Sequence, residues 1–483
     1  MRLSIGTIDL TIIVAYLLAV VAFGLWVGRR TRDATDYLLG GRSLPWWAVF
    51  GSIVATETST VTFLSVPGLA FAANGGDLRF LQLAFGYVLG RAVVVLVILP
   101  LYFRGQLFTS YQVLDQRFGG ATKSTASVLF LVTRNLADGM RLFLTAIVLE
   151  KVVGLPLPTC IIFIGVATIV YTVFGGMRSV VFNDCVQLIV YMAGAVLALG
   201  VVVSRLPDGW SQVSAFAAET DKFRVFDFSF DFTQPYTFWA GIIGGMFLTM
   251  GTHGTDQMIV QRYLSARSQR DASVALLLSG VAVAIQFLLF LLLGVALAAF
   301  YHFVVPDATF ENTDEVFATF IVRELPVGIV GITLAAAFAA AMSTLSSSLN
   351  SSAASAVNDL YLPTRKEELS PQRLVRLSRI LTVVFGIVQI GVGIAARGFA
   401  SNVVGDVLAI AGFTTGIILG VFFLGIFTQH VSQRAALIGL VGGIAYMTAI
   451  KFATSIAWPW FTIIGSAATF GLGYAASMAT AKK

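Results

Sequence analysis

Long apolar runs alternate along this chain with short polar segments, and each run is about the length of a membrane-crossing helix. A helix needs about 20 apolar residues to cross the hydrocarbon core. The pattern predicts thirteen spans, at about 7–28, 45–71, 79–103, 124–150, 156–174, 176–204, 236–260, 273–302, 327–357, 374–396, 401–428, 433–450 and 457–478. The gaps are brief except for 205–235 and 303–326, two acidic segments expected to carry short helices and form an outer vestibule. The first run is too long for a signal-peptide core and lacks a small-residue cleavage site, so it reads as a span.

Composition agrees. Of 483 residues, 57% are hydrophobic and 12% charged, against about 45–50% and 25% in soluble domains. An ordinary globular enzyme, a disordered chain and a disulfide scaffold are excluded, and the two cysteines, Cys160 and Cys185, both fall in apolar stretches. The net charge of +6 is no sign of a nucleic-acid partner, because the basic residues sit in short loops and at span edges. With the N-terminus outside, nineteen basic residues fall on the inner side and nine on the outer, which favours N-out, C-in. There is no P-loop, no HExxH and no dinucleotide fingerprint, so an ion gradient or the solute gradient must be the energy source.

Ionisable groups at membrane depth cost at least ~2.5–3.5 kcal/mol each and mark candidate sites. Five carboxylates fall there (Glu57, Asp138, Asp184, Asp256 and Asp406), with three arginines, Arg91, Arg134 and Arg141. The second span holds six polar residues in the eight from Ala55 to Thr62. Thr and Ser are weak helix formers with competing local hydrogen bonds, so a break is expected, freeing the carbonyls of Ala55 and Thr58. The seventh span has a comparable interruption from Gly251 to Gln257. Two broken spans offset by five mark an inverted five-plus-five repeat. On the ninth span Ala340, Ser343, Thr344 and Ser347 share one face. Hydroxyls and carbonyls suit a hard monovalent cation, and the same stripe also suits plain helix packing. Asp184, two turns into the sixth span, needs a partner: a cation, Arg178, or the end of a neighbouring helix that it caps.

These motifs in combination resemble the sodium/solute symporter family. The resemblance runs from Asp36-Tyr37-Leu38-Leu39-Gly40-Gly41-Arg42, through Gly175-Gly176-Met177-Arg178 with Asn183, Asp184 and Gln187, and Gln257 with Gln261-Arg262-Tyr263-Leu264, to Ser343-Thr344 with Leu349-Asn350-Ser351. It implies an all-α polytopic membrane protein of about thirteen transmembrane helices with a LeuT-like inverted-repeat core. The divisions would be an N-terminal extra helix and inner loop (1–44), a first repeat (45–205), an external loop (206–235), a second repeat (236–428) and C-terminal helices (429–483). It implies a main sodium site from the carbonyls of Ala55, Thr58 and Ala340 and the hydroxyls of Ser343 and Thr344. Asp184 with Ser343, Ser346 and Ser347 matches a second sodium site of some members. Glu57, Ser59, Thr62, Gln82, Arg134, Asp256 and Gln257 would line the solute site. Arg134 falls about where sialic acid carriers hold an arginine for the solute carboxylate, although Asp138 one turn later offers it an internal partner. Glu57 and Asp256 depart from what sugar carriers show.

The expectation is a sodium-coupled symporter, not an enzyme, importing a small polar solute with a carboxylate by alternating access, in a bacterial inner membrane. Proton coupling, suggested by Glu57 and Asp256, and a sugar solute are the alternatives within the fold. A non-transporting sensor lacks the usual appended domain, and a membrane acyltransferase would need neighbours that His302 and His430 do not show. His253 reads as a satisfied polar residue, and Trp46, Trp47 and Trp239 as interface anchors. The oligomeric state is not specified by the pattern.

Overall fold

A computed structural model describes residues 6–29, 33–73, 76–105, 107–310, 312–366, 369–396 and 403–481. Among the described residues every regular element is helical, apart from an isolated bridge between Leu44 and Ala266. In chain order these are α1 (Thr7–Gly28), α2 (Ala34–Leu39), α3 (Trp46–Glu57), α4 (Thr60–Phe71), α5 (Leu81–Val93), α6 (Leu99–Tyr102), α7 (Gln112–Phe118), α8 (Gly120–Val153), α9 (Leu157–Ser204) and α10 (Trp210–Glu219). They continue with α11 (Gly245–Gly254), α12 (Gln257–Ser265), α13 (Gln269–Phe303), α14 (Glu315–Glu324), α15 (Ile329–Ser355), α16 (Pro371–Ala395), α17 (Val403–Phe427), α18 (Gln433–Ala453) and α19 (Phe461–Ala481).

Nine of the described helical stretches are long and apolar enough to cross a membrane, and the bent pair α3–α4 makes a tenth. The thirteen expected spans are recovered once three features are read physically. At 48 residues, α9 would reach about 72 Å at 1.5 Å per residue, twice what a bilayer needs. It turns at Gly176 (φ 59°, ψ −166°), between the two spans expected there. Only glycine fits, because a Cβ would stand 2.7 Å from the Tyr37 carbonyl. The 34-residue α8 is long enough to span but carries Arg134, Asp138 and Arg141 mid-length. The seventh span is interrupted at Thr255 and Asp256, between α11 and α12.

The break between α3 and α4 lies where the Thr/Ser run was expected to cause one. Thr58 (φ −84°, ψ 94°) and Ser59 (φ −89°, ψ 172°) are extended, and the two halves meet at 59°. Thr58 Oγ1 bonds back to the Val54 carbonyl at 2.9 Å, the local competition that ends α3. α13 runs tight against α4, with a Cβ at Gly294 destined to meet the Pro67 carbonyl at 2.1 Å. α15 is buried on nearly every side, so its hydroxyls face protein, not lipid.

The two outer segments hold α10 and α14, as expected. Lys222, counted as an outer loop charge, is instead buried and plugs the end of α4, its Nζ donating to the carbonyls of Ala70, Ala72 and Gly76 at 3.0 Å and Phe71 at 3.2 Å. Arg262, counted as an inner loop charge, is likewise buried. Trp46, Trp47 and Trp239 are exposed, as interface anchors would be. Both cysteines are free. The side chain of Asp406 lies outside the described residues.

Candidate functional site

α15 crosses the break of the second span. Thr344 Oγ1 lies 3.1 Å from the Thr56 carbonyl and 3.4 Å from that of Ala340, spanning the gap between the two helices. Ser343 and Thr344 are both buried. Ser343 turns instead to the sixth span, its Oγ donating to Asp184 Oδ1 at 2.6 Å. Thr58 is gripped from the far side by Tyr191, at 3.1 Å, and by Gln286. Among the described residues no three His, Cys, Asp or Glu side chains gather as a metal cluster. The oxygens at this crossing are carbonyls and hydroxyls, a donor set suited to a weakly held alkali cation.

The second candidate set is arranged differently from the expectation. Asp184 pairs with Arg262 at 3.1 Å, not with Arg178. The same guanidinium reaches Ser52 at 2.8 Å, and also Thr56 and Ser347. Asp184 and Ser347 are therefore together, as expected, but a protein cation stands between them. Ser346 bonds back to the Ser343 carbonyl at 3.1 Å, away from Asp184.

A cavity of about 160 Å³ lies between the two helix breaks. Glu57, Ser59, Thr62, Arg134 and Asp256 all line it. Gln82 and Gln257, expected with them, do not. The Gln82 amide donates to the carbonyls of Arg79 and Tyr236 at 3.1 Å, and the Gln257 amide binds Ser110 N and the Phe108 carbonyl at 2.7 and 3.2 Å. Both hold backbone loops that the one-dimensional pattern could not pair with them.

The buried charges are matched pairwise. Arg134 clasps Asp138 through Nε and Nη2 at 2.7 and 3.1 Å and reaches Asp256 through Nη1 at 3.2 Å. Glu57 pairs with fully buried Arg91 and lies 3.4 Å from His253 Nε2. His253 also meets Arg91 at 3.1 Å and Thr252 at 3.0 Å, so it is a satisfied polar residue, as expected. Asp256 caps α12 by accepting from Met258 N at 2.8 Å. Sequence reasoning left Arg91, Arg141, Arg262, Ser52 and His253 out of the site. The two intramembrane arginines Arg91 and Arg141 were visible as costly charges; the partner of Arg91, Glu57, lies on another helix, whereas that of Arg141, Asp138, lies one turn earlier on α8 itself.

An all-helical membrane protein whose interrupted spans sit five apart around a cavity with a few buried polar and charged groups in a largely apolar wall is a secondary transporter built on an inverted repeat. The chain belongs to the sodium:solute symporter family, whose model matches residues 37–443. It is thus a sodium-coupled carrier of a small-molecule solute. Among its relatives, a sodium/sialic acid symporter of Aliivibrio fischeri is 30% identical over 480 residues, covering 98% of this chain and 93% of the relative. The sodium/iodide cotransporter of Homo sapiens is 30% identical over 454 residues, covering 92% and 69%. A solved substrate-bound, outward-open Na+-coupled sialic acid symporter superposes with a TM-score of 0.89 at 27% identity, covering 98% of each chain. The core is LeuT-like, as expected.

Proposed function

We propose that the chain imports a small polar solute bearing a carboxylate, together with sodium, across a bacterial inner membrane with its N-terminus outside and C-terminus in the cytoplasm. The observation that carries this reading is the cavity between the two breaks, whose wall includes Arg134 and Arg141 as well as Ser59 and Thr62. A guanidinium fork matches a carboxylate in two parallel hydrogen bonds. The two relatives named above carry anions, sialic acid and iodide. Hydroxyls set among apolar side chains such as Phe80, Phe130 and Phe287 favour a larger solute with both hydrogen-bonding and apolar parts over a bare halide.

In this reading sodium enters at the carbonyls of Ala55, Thr58 and Ala340 with the hydroxyls of Ser343 and Thr344. A second sodium at Asp184, Ser346 and Ser347 would first have to displace Arg262. Glu57, Ser59, Thr62, Arg134 and Asp256 contact or frame the solute. The divisions are the extra helix (1–44), two repeats (45–205 and 236–428), the external loop (206–235) and the C-terminal helices (429–483). Sodium at the α3–α15 crossing stabilises the outward-facing arrangement, and a rocking bundle then exposes solute and ion to the inside. The protein moves its solute without changing it chemically.

Uptake of N-acetylneuraminic acid and of pyruvate into proteoliposomes tests this. An inward sodium gradient should drive one or both acids, and choline replacement at fixed pH should abolish uptake. Equal uptake driven by a proton gradient without sodium, or preference for iodide over both acids, would overturn the respective halves.

A further inference from the structure

A broken-helix transporter offers an anion two natural seats, the N-termini of the second halves of its two interrupted spans, where unpaired N–H groups and the helix dipole favour negative charge. In this chain one seat is taken. Asp256 caps α12 through Met258 N at 2.8 Å and holds Arg134 Nη1 at 3.2 Å. Arg134 spends its remaining fork on Asp138. The arginine expected to meet the solute already has two carboxylates.

The other seat is open. The 12-residue α4 has no side-chain cap at its N-terminus. Arg141, two turns along α8 from Arg134, lines the same cavity as Ser59 and Thr62. Its partner is Asp138, met through Nη1 and shared with Arg134. Its Nε is buried and has no hydrogen-bond partner, a state costly to leave unmet. Thr145, one turn beyond Arg141, ties this part of α8 to the first turn of α4. Its Oγ1 bonds Thr60 Oγ1 at 2.8 Å and the Arg141 carbonyl at 2.9 Å. The stretch of α8 next to Arg141 thus packs on the first turn of α4, and Arg141 and Ser59 both line the cavity.

We propose that Arg141, together with the N-terminal turn of α4, anchors the solute carboxylate, while Arg134 is a positioning residue locked between Asp138 and Asp256. The proposal rests on the carboxylate reading above and specifies its anchor.

The test compares Arg141→Met, Arg141→Lys and Arg134→Met in proteoliposomes, with N-acetylneuraminic acid and pyruvate as the solutes and each acid's neutral amide as competitor. Losing one partner of a desolvated charge pair predicts a KM about 30-fold higher or more for the transported acid in Arg141→Met. Arg141→Lys should recover part of it. In wild type the amide should compete poorly, and in Arg141→Met acid and amide should compete alike. Sodium-dependent thermal stabilisation should be unchanged in Arg141→Met, showing that it is folded, because Asp138 keeps its fork from Arg134. Arg134→Met should lower thermal stability more than it raises KM. A wild-type KM in Arg141→Met, with a large rise in Arg134→Met, overturns the anchor and leaves the function standing. Transport of neither acid by wild type overturns the carboxylate reading and the anchor with it.

Discussion

Arg262 Nη2 lies 3.1 Å from Asp184 Oδ2, both side chains almost wholly buried, so the deepest carboxylate of the sixth span is neutralised by a residue from the seventh. Ser52, Thr56, Ser347 and the Met258 carbonyl also accept from the guanidinium. Breaking a buried pair from one side costs about 3–5 kcal/mol, so Arg262→Met should unfold at clearly lower temperature than wild type. Sodium should stabilise this variant more than wild type, since a free ion can then take the place beside Asp184. Thermal unfolding with and without sodium reads both effects; an unshifted midpoint in sodium-free buffer would show that the pair is dispensable.

Thr344→Ala should raise half-saturating sodium about tenfold or more, because it removes the hydroxyl at the crossing of α15 with the broken helix. Ser343→Ala should weaken sodium-driven uptake strongly too, and it should also lower stability by releasing Asp184 Oδ1. Sodium titrations of uptake and unfolding separate the two. Wild-type sodium dependence in both variants would remove the ion from this crossing.

Glu57→Gln strands Arg91, which is fully buried. We expect a loss of about 3–5 kcal/mol, partly recovered in the double variant with Arg91→Met. If Glu57→Gln keeps its stability and only alters KM, Glu57 serves the solute and not the fold.

Gln82→Ala and Gln257→Ala should lower stability by about 1–3 kcal/mol each, since each leaves buried backbone groups unpaired. KM should stay near wild type because neither side chain reaches the cavity. A KM change of tenfold in either, at unchanged stability, would return that glutamine to the solute site.

In the external loop, burial pushes the Asp227 carboxyl up, but hydrogen bonds from Ser229 and the charges of Arg79 and Arg224 outweigh it and hold it below the ordinary carboxylate value. A lowered folded pKa contributes stability above the ordinary value, lost as pH falls through the folded one. The loop should therefore stay protease-resistant down to about pH 4 and open below it. Asp227→Asn should make it sensitive at neutral pH; an Asn variant as resistant as wild type would refute this.

Spans, breaks and the hydroxyl stripe were legible because each is a local property: apolar run length, a Thr/Ser cluster, a 3.6-residue period. Even the turn inside α9 was marked by Gly175-Gly176. The Arg134–Asp138 pair, one turn apart, was legible as an alternative, but charge partners on other helices were not. Arg262 follows a hydrophobic run and reads as an edge residue, yet α12 extends past it and turns it onto Asp184, 78 positions earlier. Gln82 and Gln257 are polar residues in apolar company, the same signal that a solute ligand gives, and only the folded chain distinguishes the loop they hold from the cavity they miss.

The pairing of Arg91 with Glu57 and of Arg134 and Arg141 with Asp138 and Asp256 has an electrical consequence. These six groups sum to zero, so the membrane voltage does no net work on them when the bundle rocks. Only the cargo feels the field, at ~2.3 kcal/mol per charge per 100 mV. One sodium with one carboxylate would then cycle without current, and each additional sodium would appear as one elementary charge per turnover. A current recording thus counts the ions directly.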